Sequence, residues 1–158
     1  ALKHFNEYQA LLYASRESLD VCAIRPSFIF GPGRTTGVPW ACSFIEDAIN
    51  GKTTHVPMHP DSTFGLIYVD DVVDLFTKIT LAKTLSSNVY NTGGHLLSIS
   101  EIAAEVNSVL NGNLISDPAK NPLFQFDISN GRAHKEFGFT LSPFSESLIK
   151  HANILRSQ

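Results

Sequence analysis

The sequence is poor in sulfur, with one methionine and two cysteines, Cys22 and Cys42, in 158 residues. Two cysteines are too few for a disulfide framework, which excludes the small stapled folds and points to a reducing, cytoplasmic setting. Charge is also sparse, at 17% Asp, Glu, Lys and Arg, with a net charge of −3. Without a basic excess there is no electrostatic footprint for nucleic acid or an anionic membrane surface. No apolar run approaches the ~20 residues that span a bilayer. The opening ALKHFNEYQ is too polar to read as a secretory signal. Internal repeats, low-complexity tracts and Asn-x-Ser/Thr acceptors are all lacking.

What is present is an ordinary globular composition, 43% hydrophobic. A chain of this length fits one domain and can bury roughly 70% of its unfolded surface. Leu2, Phe5 and Leu12 trace one face of a helix running to about Ser18. A short strand over Asp20 to Ile24 leads into RPSFIFGPGR, which reads as a strand end opening into a rigid Gly/Pro loop. Val38 to Asn50 suits a second helix, and strands are expected over Thr53 to Met58 and Phe64 to Val69. Asp70 is placed to cap a helix to about Lys83, with Val72, Leu75, Phe76 and Ile79 inward. A brief strand over Asn88 to Asn91 ends at Gly93-Gly94. Ser98-Ile99-Ser100-Glu101 has capping-box spacing and opens a helix that Asn111-Gly112 closes. Asp127 is placed to cap a short helix to Phe137, and Pro143 to begin the last helix at its first position. Alternating helices and strands predict the α/β class.

Several signals fail on spacing. Gly51-Lys52-Thr53 resembles the end of a phosphate loop, but the required earlier glycine falls at Glu46. His55 and His59 are separated by Pro57, which excludes a helical metal pair. Gly31, Gly33 and Gly37 do not have dinucleotide-fingerprint spacing. Cys22 sits among apolar residues and reads as core, while Asp70-Asp71 reads as a helix start rather than a catalytic carboxylate pair.

The order of segments says more than any one of them. ALKHFNEYQALLYASRESLDV leads to CAIRPSFIFGPGR, then LIYVDDVVDLF, VYNTGG, SISEI and DISNGRAHKEFGF. This succession resembles the C-terminal half of the extended short-chain dehydrogenase/reductases, also called NAD-dependent epimerase/dehydratases. It implies the C-terminal part of a doubly wound, Rossmann-type parallel sheet with a small mixed α/β substrate lobe. Residues 1–32 and 65–93 would belong to the dinucleotide-binding domain, and 33–64 and 94–158 mainly to the lobe and C-terminal helices.

The resemblance also implies roles. Lys3 matches the lysine of the family's Tyr-x-x-x-Lys pair, where it binds the nicotinamide ribose of NAD or NADP. Its charge also lowers the pKa of the tyrosine, whose phenol, at about 10, is otherwise a poor base at neutral pH. Pro26, Ser27 and Ile29 lie on the strand end that abuts the nicotinamide. Phe28, Gly33, Arg34 and Thr35 fall on the stretch that meets the substrate, Arg34 as a partner for an anionic group. The tyrosine would stand two positions upstream of Ala1, and the glycine-rich fingerprint and strand-end Ser or Thr are not in the sequence. The chain therefore reads as a C-terminal piece of a protein about twice as long, inactive alone. An exposed apolar edge is expected where the first strands would join, and the first helix is expected to contribute to a homodimer bundle.

Nucleotide-sugar members carry an arginine where Phe64 and Gly65 stand here, and a second where SDPAKNP runs, with only Lys120 as a cation. A diphosphate would lack its bidentate partners. That argues for a small sugar-acid, hydroxy or keto substrate. The alternatives are a nucleotide-sugar epimerase or dehydratase and a non-catalytic NAD(P)-binding sensor.

Overall fold

The computed structural model describes residues 2–158. Along the chain run α1 (Leu2–Glu17), β1 (Ala23–Arg25), β2 (Phe28–Phe30), α2 (Pro39–Ile49), β3 (Thr53–Val56) and β4 (Thr63–Tyr68). There follow α3 (Val69–Leu81), β5 (Val89–Asn91), β6 (His95–Ser98), α4 (Ile99–Leu110), β7 (Asn113–Ser116), α5 (Gly131–Phe137) and α6 (Phe144–Arg156). β4 is central, parallel to β2 with Phe28 opposite Leu66, and antiparallel to β6 with Gly65 opposite Leu96. β1 pairs in parallel with β5, and β3 in parallel with β7. The class is α/β, as the alternation of elements predicts.

The side chains of β2 and β4 explain why these strands are apolar without a polar face. Phe28, Phe30, Phe64, Leu66 and Tyr68 point into a core built with α2, α4 and α6. Ile29 and Ile67 point the other way, into a second core with Leu75 and Ile79 of α3, Tyr90 of β5 and Ala133 of α5. Successive strand residues alternate faces, so a strand covered on both sides must be apolar throughout. Gly31 closes this arrangement. It has φ +150°, and a Cβ there would meet Val69 Cγ1 at 2.5 Å, so only glycine lets the loop cross the start of α3.

Several local expectations are corrected. Pro26 lacks an N–H, and the chain changes sheet at that point, so FIF is a separate strand rather than the mouth of a loop. β6 and β7 carry no strand signal of their own in the sequence: each is four residues long and bounded by α4. Cys22 precedes β1 and is half-buried beside the second core. Tyr68, not Asp70, is the N-cap of α3, and it makes no side-chain cap bond. Asp71 instead accepts from Ser142 N at 3.1 Å and Ser142 Oγ at 2.6 Å, tying α3 to the approach of α6. Asp70 pairs with Lys150 at 2.6 Å. Phe76 is 61% exposed, because Leu75 and Ile79 take the inward positions. Asp127 lies ahead of α5, whose N-cap is Asn130, and Pro143 is the N-cap of α6 rather than its first residue. The capping box at Ser98 and Glu101 and the left-handed stop at Asn111 are as expected.

α1 buries no residue. Leu2, Phe5, Tyr8, Leu12 and Tyr13 are all exposed, and the free edge of β1 has no strand partner among the described residues. No helix is long and apolar enough to cross a membrane, among the described residues.

Candidate functional site

Three backbones converge where the two sheets meet. Arg25 accepts from Thr92 N at 3.2 Å through its carbonyl, and two residues on Ser27 N donates to Thr92 Oγ1 at 3.2 Å. These bonds hold the chain as it crosses from β1 to β2. Ser27 then lies against Gly94 so closely that a Cβ at Gly94 would stand 2.8 Å from Ser27 Cβ. A Cβ at Gly65 would stand 3.8 Å from Ser27 Oγ. The result is a floor of backbone and one hydroxyl, at the carboxyl end of β1, where open α/β sheets bind ligands.

Above this floor lies a cleft of about 560 Å³, lined by Lys3, Pro26, Ser27, Phe28, Ile29 and Arg34. That volume falls in the usual range for small-molecule sites. Gly65, Gly94 and Leu96 form the base, and Gln125, Phe126, Asp127 and Ile128 form the far wall. The sequence-derived candidates Lys3, Pro26, Ser27, Phe28, Ile29 and Arg34 are therefore brought together, although α1 and β2 are remote in sequence. Gly33 and Thr35 are exposed and do not line the cleft. Lys120 does not reach it either, and Asp117 is spent on a turn, accepting from Ala119 N at 3.0 Å.

Arg34 is held within its own loop. Its guanidinium carbon lies 3.7 Å from the centroid of Phe28, its Nε donates to Thr36 O at 3.1 Å, and a terminal nitrogen donates to Ile29 O. A ligand amide that binds at the Ile29 carbonyl must share it with Arg34 or displace it. Lys3 and Arg34 are the cations lining the cleft and Asp127 its acid. Arg25 points elsewhere, into a paired contact with Glu7 of α1 at 2.8 and 2.5 Å. That bond holds the Glu7 carboxyl below its ordinary pKa and secures the helix that carries Lys3.

The donor set fits a nicotinamide cofactor. A backbone floor would admit a flat ring, Ser27 Oγ has no protein partner among the described residues, and Lys3 lines the cleft as a cation that could meet a ribose or phosphate. The far wall is not legible in the sequence: PLFQFD carries no periodicity, and Asp127 reads as a helix cap. The one available signal was Gly93-Gly94, which marks a close approach of backbones.

No protein-family model matches the chain, and no curated protein matches its sequence. Solved structures do match. A partial-consensus L-threonine 3-dehydrogenase superimposes with TM-score 0.81 at 18% identity, over 99% of this chain and 55% of that one. L-threonine 3-dehydrogenase from Trypanosoma brucei gives TM-score 0.77 at 20% identity, over 98% and 53%. UDP-glucuronic acid 4-epimerase from Bacillus cereus, in complex with UDP-glucuronic acid and NAD, gives TM-score 0.73 at 15% identity, over 96% and 50%. The chain thus spans about half the length of the structures it matches. It has the fold of the extended short-chain dehydrogenase/reductases, over that half of their length.

Proposed function

We propose that this chain supplies the C-terminal half of an NAD(P)-dependent oxidoreductase or epimerase acting on a carbinol carbon of a small sugar-acid or hydroxy/keto substrate. The observation that carries the reading is the convergence of Lys3 with Pro26, Ser27, Phe28 and Ile29 on one cleft. The names of the solved neighbours, which are dehydrogenases and an NAD-holding epimerase, support it. The bound nicotinamide supplies the hydride acceptor or donor.

The chain's own residues do the rest. Pro26, Ser27 and Ile29 bear on the cofactor, and Lys3 holds a positive charge that favours the phenolate of a tyrosine on the preceding segment. Phe28 and Arg34 face the substrate, Arg34 meeting an anionic group by leaving the Ile29 carbonyl. Gly33 and Thr35 shape the loop that carries Arg34 rather than touching the ligand. Residues 1–32 and 65–93 act as the cofactor side and 33–64 and 94–158 mainly as the substrate side. The uncovered face of α1 is assigned to the preceding half of the same protein and to a second copy, and the chain alone is assigned no activity.

A nucleotide-sugar reading is favoured by one observation, the UDP-glucuronic acid held by the Bacillus cereus neighbour. Against it, the cleft's lining holds no arginine besides Arg34, among the described residues, and Gly65 offers no side chain to a diphosphate. The test is to give the full-length protein NAD+ or NADP+ with a panel of small alcohols that includes L-threonine. Reduced cofactor is expected with a member of the hydroxy-acid class. No reduction across the panel, with tight binding of UDP, overturns the reading in favour of a nucleotide sugar.

A further inference from the structure

Residues 121–130 carry no helix or strand, yet they are anchored at both ends. At the first anchor the segment lies along the part of β4 that precedes its pairing with β2. Thr63 N donates to Leu123 O at 2.9 Å, Leu123 N donates to Ser62 Oγ at 3.1 Å, and Gln125 N donates to Thr63 Oγ1 at 2.8 Å. At the second anchor Asn91 Nδ2 donates to Ser129 O at 3.4 Å. Between the two, residues 125–128 cross the cleft as its far wall.

Gln125 breaks the backbone pattern. Gly65 N donates to Gln125 Oε1 at 2.8 Å, so a side-chain amide takes the place of the next strap carbonyl. A backbone N–H can only donate, which fixes the amide with its oxygen toward β4. The amide's other end, Nε2, is then a pure donor; Gln125 is exposed, and this nitrogen has no protein partner among the described residues. It belongs to a residue that lines the cleft. Gly65 is what makes room, since a Cβ there would already stand 3.4 Å from Gln125 Oε1.

We infer that Gln125 is a substrate-contacting, specificity-determining residue whose Nε2 donates to an acceptor oxygen of the small hydroxy or keto substrate, oriented by the Gly65 N–H. This rests on the cleft being the substrate site of the proposed oxidoreductase. A substrate whose matching position carries only donors, such as an ammonium, is disfavoured there. An amide held from behind also loses little freedom when it binds.

Two substitutions in the full-length protein separate contact from architecture. In Gln125→Glu the carboxylate still accepts from Gly65 N–H but presents no donor; in Gln125→Met both functions go. Amide exchange at Gly65 and residues 123–128 should stay within about twofold of wild type for Glu and rise about tenfold for Met. KM for the hydroxy-acid substrate should rise about tenfold or more in both, with kcat little changed. A purely structural role predicts wild-type KM for Gln125→Glu, and that result overturns the inference. A readout independent of turnover is the Gln125 side-chain NH2 resonance pair in protein labelled with 15N-glutamine. Titration with L-threonine and with 3-hydroxybutyrate, with NAD+ present, should shift it saturably; no shift with either overturns the contact. A shift without any turnover leaves the contact standing and removes the redox reading instead.

Discussion

Arg34 and Phe28 form a stacked pair across the base of one loop, the guanidinium carbon 3.7 Å from the ring centroid. The contact joins a residue of β2 to the Gly/Pro loop that follows it, and both side chains line the cleft. Cation–π contacts at partly exposed sites contribute about 0.5–1 kcal/mol. Arg34→Leu removes this contact and the hydrogen bonds to Thr36 O and Ile29 O, and should lower stability in urea by about 1–2 kcal/mol. Its larger effect should fall on binding of anionic substrates to the full-length protein, read as a raised KM with little change in kcat.

The Glu7–Arg25 pair ties α1 to β1, and α1 buries no side chain of its own. Exposed ion pairs contribute little to global stability, with bidentate geometry such as this at the upper end of their range. Glu7→Gln should accordingly leave the unfolding midpoint nearly unchanged while amide exchange across residues 2–17 accelerates. Equal exchange in the variant and the parent chain would show that α1 is held by something other than this pair.

Asp71 is 6% exposed and accepts from both the N–H and the hydroxyl of Ser142. Asp71→Ala leaves the two half-buried donors of Ser142 without their partner, at a cost of about 1–3 kcal/mol in all. Urea unfolding should show the loss, and Asp71→Asn, which keeps an acceptor, should recover part of it. A neutral Asp71→Ala would mean that water replaces the carboxylate at Ser142.

His151 of α6 is buried against the ring of Tyr68 on β4, with centroids 6.5 Å apart, and the Lys150–Asp70 pair lies beside it. Burial pushes the imidazole pKa below its ordinary 6.5. A base whose folded pKa is depressed binds more protons when unfolded, so stability rises with pH across that window. The contribution is whole above about pH 6.5 and is lost as the pH falls from there toward the folded value. Glu101 and Glu136, whose carboxyls are held low by Ser98 and by Ser86 and Tyr90, lose theirs only below their ordinary 4.5. Stability measured between pH 5 and 7.5 should slope in the parent chain and flatten in His151→Leu. An unchanged slope would assign it to another group.

The sequence was legible where local chemistry decides the outcome. The Ser98–Glu101 capping box and the left-handed Asn111 stop α4 where short-range rules place its ends. Illegible stretches are those whose conformation comes from distant partners. β2 exists because Leu66 to Tyr68 lie beside it, and β7 because β3 does. Asp70 and Asp71 looked like caps until Lys150 and Ser142, far along the chain, claimed them. In the site, Lys3 and the residues 26–29 could be named from the resemblance. Gln125 could not, because its place depends on an N–H of Gly65 60 residues away.

The most direct test of the central claim is a crystal structure of the full-length protein with NAD+ or NADP+ bound. The account predicts the nicotinamide ring over the Ser27, Gly65 and Gly94 floor, within about 4 Å of Pro26, Ser27 or Ile29, and Lys3 bonded to its ribose. A nicotinamide bound away from residues 26–29, with the cleft filled by other chain segments, would contradict it.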